Sequence, residues 1–259
     1  PELDGKRAGV TLLIDDVTAL YRSRERETIV LREKNRLQYD MIESLKASGD
    51  CYINDYVGTY FLYLSAKNIP DWRMRAAITL VIDRENIVEN VTQGGQSPAT
   101  GFTAAGITDS TGANFATTVS ADMPVMWAWL QANLGDALGL DLTSYDDRCE
   151  LAEYLVEQAA ADGYDTTKTI YYNFNTSETH QAIAEAVQSD VKSVLGLNLE
   201  LANQDWNVYT DGLAADTFGL ARLGWIADYN DPVTYLELFV NGNSYNYGEW
   251  VNDEYTGLI

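Results

Sequence analysis

The sequence predicts an α/β fold, because short strand patterns alternate with amphipathic helical patterns along most of its 259 residues. Runs rich in β-branched and aromatic residues predict strands at 56–65, 169–175, 198–202 and 217–223. Apolar residues at three- and four-residue spacing predict helices at 72–82, 84–91, 146–161, 178–195 and 206–213, and one that begins near 232. In such folds ligands bind at the carboxyl ends of the strands.

The helix ends carry specific signals. Asp71 and Asp83 precede the first turns at 72 and 84, where a carboxylate accepts hydrogen bonds from free backbone amides. Gly163 and Gly196 follow the helices at 146–161 and 178–195, and Gly94-Gly95 follows the helix at 84–91. Glycine ends a helix readily because it adopts the left-handed conformation.

Three further segments are less regular. Residues 9–21 predict a strand and a turn at Asp15-Asp16, and residues 22–36 are rich in Arg, Glu and Lys, as on a solvent-exposed helix. A short helix is predicted at 38–47. Residues 96–125 contain few charges and much Gly, Ala, Thr and Ser, which predicts a long ordered loop.

The charge excludes several functions. The chain has 39 acidic and 17 basic residues and a formal net charge of −22, which repels nucleic acid and anionic lipid. Residues 1–50 hold 10 acidic and 9 basic residues, so almost all of the net charge lies beyond them. No apolar run has the length of a membrane span.

The sequence also argues against a metal site and against catalysis. It contains one histidine, His180, and two cysteines, Cys51 and Cys149, without a CxxC motif, so we expect no metal, no cofactor and no histidine-based triad. The two cysteines either form a disulfide or stay separate. The acidic pairs Asp15-Asp16 and Asp146-Asp147 are interpreted as turn and helix caps rather than as catalytic carboxylates, so the chain is not expected to be an enzyme.

Several motifs occur together in an order that is typical of one family. They are VGTYF at 57–61, DWRMRAAI at 71–78, IDRENIV at 82–88, QGGQSPA at 93–99, ANQDW at 202–206 and ARLGWIADYNDP at 221–232. This order resembles the family 5 extracellular solute-binding proteins, the receptors of oligopeptide and dipeptide ABC importers. The last motif is the most specific of the set.

The resemblance covers residues 52–259 and implies the second lobe of a class II periplasmic-binding-protein fold, a mixed β-sheet flanked by helices. Residues 1–51 match poorly and are interpreted as a divergent segment before the interlobe crossover. The chain begins at Pro1 without a Met and ends at Ile259 within the second lobe, so we interpret it as a fragment. Self-association through the surface that a first lobe would cover is a hypothesis.

The resemblance also implies a ligand-binding site around the GWIADYNDP loop. By this likeness Asp228 holds the α-ammonium of a peptide, and Trp225 and Tyr229 form aromatic walls beside it. Gly224, Trp225 and Ile226 offer backbone groups to the peptide in the manner of an added strand.

Three further residues match binding positions of the family. They are Arg222 for a ligand carboxylate, Trp206 for a side-chain pocket and Tyr60 on the crossover strand. Each also has a purely structural interpretation: an ion pair for Arg222, and packing for Trp206 and Tyr60. The interval 207–217 holds no basic residue, although peptide binders of the family often carry one there.

The function implied by the resemblance is that of the substrate-binding component of an ABC importer, which holds an extended peptide between two lobes. The partners would be a peptide and the transporter's permease subunits, with no nucleic acid. The location would be extracytoplasmic, periplasmic or as a cell-surface lipoprotein. The alternatives are a non-peptide solute such as a sugar or a nickel chelate, and a chaperone-like interaction module.

Overall fold

The computed structural model describes residues 36–37, 40–41, 43–49, 56–99, 101–119 and 125–259. The chain divides into two units, residues 1–54 and 55–259. In the first unit the described residues 36–37, 40–41 and 43–48 are helical, in agreement with the helix predicted at 38–47. The strand predicted at 9–21, nearly all of the charged helix at 22–36, and Cys51 lie outside the described residues. Cys149 carries a free thiol.

A mixed four-stranded sheet forms the centre of the second unit. Its strands are β1 (Gly58–Leu64), β2 (Ile170–Asn175), β3 (Leu199–Gln204) and β4 (Leu220–Ile226). They lie in the order β1-β4-β2-β3, with β1 antiparallel to β4 and with β2 parallel to both β3 and β4. The carboxyl ends of β2, β3 and β4 therefore meet at one edge of the sheet.

Helices connect and cover these strands. They are α1 (Trp72–Val81), α2 (Arg84–Asn86, continued as a π-helical turn over Ile87–Thr92), α3 (Phe115–Val119), α4 (Val125–Leu130, continued as a π-helical turn over Gln131–Gly135), α5 (Asp136–Leu138), α6 (Tyr145–Ala161), α7 (Glu178–Leu195), α8 (Trp206–Ala214), α9 (Val233–Leu236, followed by a 3-10 turn over Glu237–Phe239) and α10 (Asp253–Leu258).

Each face of the sheet has its own apolar core. On one face α1, α6 and α7 pack against β2 and β3 through the largest cluster, which includes Met74, Leu155, Tyr172 and Val187. A second cluster contains Tyr63, Tyr209, Leu213, Phe218 and Leu223, and joins α8 to β1 and β4. The burial of these side chains fixes the direction of β4, whose end carries the site.

Most predicted caps are confirmed. Asp71 accepts a hydrogen bond from the Arg73 amide, and Asp83 accepts one from the Asn86 amide. Gly196 ends α7 with a φ of 64°, in the left-handed region. The predicted stop at Gly94-Gly95 is wrong by one residue, because Gln93, at a φ of 50°, closes the π-helical turn instead.

The predictions for one strand and for the segment 96–138 are also wrong in part. The strand expected at 217–223 begins at Leu220 and continues to Ile226, because β1 pairs with it as far as Gly58 and Ile226. The loop expected at 96–125 contains the short helix α3, and the segment 125–138, for which the sequence predicts no element, is helical. No described helix is long and apolar enough to cross a membrane.

Candidate functional site

The end of β4 is paired on one side only. Its β1 neighbour matches it residue for residue, from Leu64 and Leu220 to Gly58 and Ile226. On its other side β2 pairs only with Leu220 and Ala221. From Arg222 to Ile226 that side of β4 is therefore an open strand edge at the carboxyl end of the sheet.

Strand alternation decides which backbone groups face this open edge. The Ala227 amide donates to the Val57 carbonyl at 3.0 Å, so it points toward the β1 side. Because successive residues point their N–H and C=O groups to opposite sides, those of Gly224 and Ile226 point away from β1. These two residues, whose surfaces are exposed, offer backbone donors and acceptors at the open edge.

Gly224 keeps the surface of β4 flat at this point. A Cβ placed on it would meet only the Thr59 carbonyl oxygen, at an ordinary contact distance of 3.7 Å. The fold therefore tolerates a side chain at position 224.

A cationic group marks the beginning of the open edge. The Arg222 Nε donates to Asn175 Oδ1 at 2.9 Å, and its guanidinium lies 5.7 Å from the centre of the Tyr60 ring. The Arg222 carbonyl accepts a hydrogen bond from the Tyr209 hydroxyl. In the part of the chain that the structure describes, no carboxylate forms an ion pair with Arg222, so the ion pair offered as its structural role does not form there.

The charge of Arg222 acts on its neighbours. His180, in the first turns of α7, lies 5.7 Å ring to ring from Tyr60. Burial and the nearby Arg222 charge lower the pKa of His180 from 6.5 to about 4, so its imidazole is neutral at pH 7. Burial raises the pKa of Tyr60 to about 12 despite the opposing effect of Arg222. The cluster thus carries a single positive charge.

An unpartnered polar atom lies close to this charge. His180 Nδ1 is buried without a hydrogen-bond partner in the described part of the chain, and Asn173 Oδ1 on β2 is a second such atom. Such groups are costly to bury unless another molecule bonds to them. The arrangement suits a polar ligand that enters from the strand ends.

An anionic group marks the other end of the open edge. Asp228 is exposed, and its carboxylate accepts no hydrogen bond from the described residues, while its amide donates to Thr234 Oγ1 at 3.2 Å. Asp228 does not cap the turn before Pro232, because Asp231 performs that role by accepting a hydrogen bond from the Val233 amide. The Asp228 carboxylate is therefore free to meet a cation.

A pocket of about 410 Å³ lies beside Asp228. Its aromatic wall consists of Trp225 and Tyr245, whose rings are 5.0 Å apart and meet edge to face. Tyr229, expected as a wall from the sequence, is half exposed and does not line this pocket. The remaining lining residues are Glu237, Leu238, Asn243 and Ser244.

The structure thus divides the predicted residues into groups. Tyr60 and Arg222 lie together at one end of the open edge, Trp225 and Asp228 lie at the other, and Gly224 and Ile226 lie between them. Trp206 stands at the start of α8, half exposed, with its ring 6.1 Å from that of Tyr209. The described residues hold no group of three or more His, Cys, Asp or Glu suited to a metal ion.

Four residues of the site were not predicted. Asn175 and His180 belong to the NFNTSETH stretch, where an Asn at a strand end before a helix is a usable signal for a site. Glu237 and Tyr245 come from segments whose local pattern carries no such signal. Only the folded chain brings them to Asp228.

The chain is similar to proteins of known function. A family model described as bacterial extracellular solute-binding proteins, family 5, matches residues 10–247. The oligopeptide-binding protein OppA of Bacillus subtilis is 32% identical over 86% of this chain and 38% of its own length. The dipeptide-binding protein DppE of the same organism is 29% identical over 85% of this chain and 37% of its own length.

Solved structures agree with these relatives. The murein tripeptide binding protein MppA of Escherichia coli superposes with a TM-score of 0.66 at 27% identity. It covers 85% of this chain, which in turn covers 39% of MppA. OppA of Haemophilus influenzae in complex with the peptide RPPGFSPFR gives a TM-score of 0.62 at 26% identity, over 84% of this chain and 39% of its own.

These likenesses confirm the predicted fold class, a class II periplasmic-binding-protein lobe with a mixed sheet flanked by helices. The chain spans less than two-fifths of the length of these relatives. The family is one of extracellular solute-binding proteins rather than of enzymes. Because the family model matches residues 10–247, the chain belongs to the bacterial extracellular solute-binding proteins, family 5.

Proposed function

We propose that this chain supplies one wall of a binding site for short extended peptides, as part of the substrate-binding component of an ABC importer. The observation that carries the proposal is the open edge of β4 between two opposite charges. Arg222 lies at one end of this edge, and Asp228 lies at the other. A peptide zwitterion has the complementary arrangement of an ammonium, a row of amides and a carboxylate.

The charges set the direction of the peptide. Its amine would meet Asp228 beyond the end of β4, and its carboxylate would meet Arg222, so the peptide would run antiparallel to β4. Gly224 and Ile226 would supply the backbone hydrogen bonds between these ends.

The length of the open edge limits the length of the peptide. A strand rises about 3.3 Å per residue, so Arg222 and Ile226 are separated by roughly 13 Å along β4. An extended tripeptide or tetrapeptide spans about 10–14 Å at 3.3–3.6 Å per residue. We therefore expect three or four residues of the ligand to lie along the open edge, between Arg222 and the end of β4.

The site has few other charges to compete with the ligand. His180 is neutral above its pKa of about 4. The other acidic residue of the pocket is Glu237. The aromatic wall of Trp225 and Tyr245 excludes water on one side, which strengthens an ion pair at Asp228.

The biological setting follows from the same proposal. The partners would be a peptide and the permease subunits of the importer, and the protein would act outside the cytoplasm without catalysing a reaction. A non-peptide solute, such as a sugar or a nickel chelate, is the alternative within the family. It has no need for an amine anchor and a carboxylate anchor at a fixed spacing.

Isothermal titration with four forms of trialanine tests the proposal. The peptide with both ends free should bind most tightly, and the N-acetyl and C-terminal amide forms should each bind at least tenfold more weakly. The doubly blocked form should bind least. Equal affinity for all four forms would refute a peptide site that is anchored at both ends.

A further inference from the structure

We infer that Asn175 is a positioning residue, which holds the Arg222 guanidinium so that its two terminal nitrogens face a ligand carboxylate. The inference rests on the proposed function, which assigns the carboxylate to this end of β4. Beyond that function, it assigns a role to Asn175 on β2, which orients the Arg222 side chain before the ligand carboxylate binds.

The geometry of the guanidinium supports this role. Arginine has five N–H donors in a planar fork, and Asn175 Oδ1 occupies one of them, the Nε–H, at 2.9 Å. The Nη1 and Nη2 groups have no acceptor among the described residues. With Nε engaged, those two nitrogens form the end of the fork that can bind both oxygens of a carboxylate.

The backbone on both sides keeps this contact in place. Asn175 is the last residue of β2 and pairs with Gln204 of β3, while the Arg222 carbonyl is bound by the Tyr209 hydroxyl. The side chain of Arg222 thus crosses the gap that opens where β2 and β4 separate. Fixing it in advance lowers the entropy cost of ordering an arginine when a ligand binds.

A purely structural role for Asn175 has less support. An Asn that precedes a helix usually caps it, but α7 begins after Ser177 and receives no side-chain cap from Asn175. The side-chain hydrogen bond that the structure gives Asn175 goes to Arg222. Its amide nitrogen has no acceptor among the described residues and is also available to a ligand.

The single histidine of the chain allows a test that needs no ligand. Its NMR titration reports the Arg222 charge, because that charge helps to hold the His180 pKa near 4. Burial is the larger cause of the lowered His180 pKa and does not change in Asn175→Ala, so release of the guanidinium toward solvent should raise the pKa part of the way toward 6.5. In Asn175→Asp the new carboxylate compensates Arg222, so the pKa should rise further.

Peptide binding supplies the second readout. Asn175→Ala should reduce the preference for trialanine over trialanine amide at least threefold, and Asn175→Asp should abolish it, because its carboxylate takes the place of the ligand's. Asn203→Ala, which removes an Asn of β3 that accepts from Thr176, is the matched control. It should leave both the preference and the His180 pKa unchanged.

The two proposals fail in different ways. If the unmodified chain shows no preference for a free carboxylate, the proposed function fails. A His180 pKa that stays near 4 in both Asn175 variants overturns the inference whatever the peptide result. An unchanged carboxylate preference in Asn175→Ala also overturns it.

Discussion

The two ends of the open β4 edge differ in how firmly they are built. At the first end Arg222 is half-buried, fixed by Asn175 and surrounded by Tyr60 and His180. At the second end Asp228 is exposed, and its carboxylate has no hydrogen bond from the described residues. A preformed cation faces one end of the ligand, whereas an unrestrained anion faces the other.

This difference follows from the position of each residue in the fold. Arg222 lies within β4, half-buried beside Tyr60 and His180, where desolvation strengthens a charged hydrogen bond. Asp228 lies after the strand, where solvent screens its charge. We therefore expect the carboxylate end to contribute more to affinity in this chain than the amine end.

The largest expected effect comes from blocking the edge between the two ends. In Gly224→Pro the ring replaces an amide hydrogen that faces the open edge and is not bonded to β1, so the pairing with β1 should remain and the chain should still fold. The variant cannot donate this hydrogen bond, and its ring lies where an added strand would approach, so trialanine binding should disappear from titration calorimetry. Gly224→Ala is the control: it keeps the amide, its Cβ would meet only the Thr59 carbonyl oxygen at 3.7 Å, and it should bind normally.

Removal of the fixed cation should have the next largest effect. Arg222→Met should weaken trialanine binding roughly 30- to 100-fold, within the 1.5–3 kcal/mol that a charged hydrogen bond contributes. Trialanine amide should bind this variant as it binds the unmodified chain. A loss of the same size for both peptides would mean that Arg222 serves the fold and not the ligand carboxylate.

Removal of the unrestrained anion should have a smaller effect. Asp228→Asn should weaken trialanine binding about tenfold, near the lower limit for a charged hydrogen bond, because Asp228 is exposed. N-acetyl trialanine should show no change. Asp231→Asn, which removes a neighbouring charge but keeps an oxygen for the turn, is the control. A larger loss in Asp228→Asn than in Arg222→Met would reverse the ranking of the two ends.

The smallest effect concerns pH. A bound carboxylate compensates the Arg222 charge, so it should raise the His180 pKa above its free value of about 4. A ligand that raises a pKa binds more tightly as the group takes up its proton. Trialanine affinity should therefore rise up to about threefold between pH 6 and pH 5, while trialanine amide affinity should not rise. A fall for trialanine alone would contradict this sign.

The sequence predicted most helices and strands well, because the signals for them are local. The Asp71 cap and the Gly196 stop each depend on a few adjacent positions. The family motif around Gly224 also led to the open edge. The true end of β4 could not be predicted, because it depends on pairing with β1, more than 150 positions earlier.

Several residues of the site also meet only through contacts between positions that are far apart in the sequence. Asn175 and Arg222 are 47 positions apart, and neither local pattern indicates the other. Tyr245 replaces Tyr229 as the wall beside Asp228, because the chain after α9 returns to Trp225. Local reasoning finds residue types suited to a site, while the tertiary fold selects those that meet.

Amide hydrogen exchange at β4, measured with and without saturating trialanine, shows whether a peptide adds to the open edge. If the peptide adds as a strand, exchange at Gly224 and Ile226 should slow, because their amides face the open edge. Exchange at Ala227, whose amide is already bonded to Val57, should not change. If Gly224 and Ile226 exchange as fast as before in a chain saturated with trialanine, the peptide does not bind as a strand added to β4.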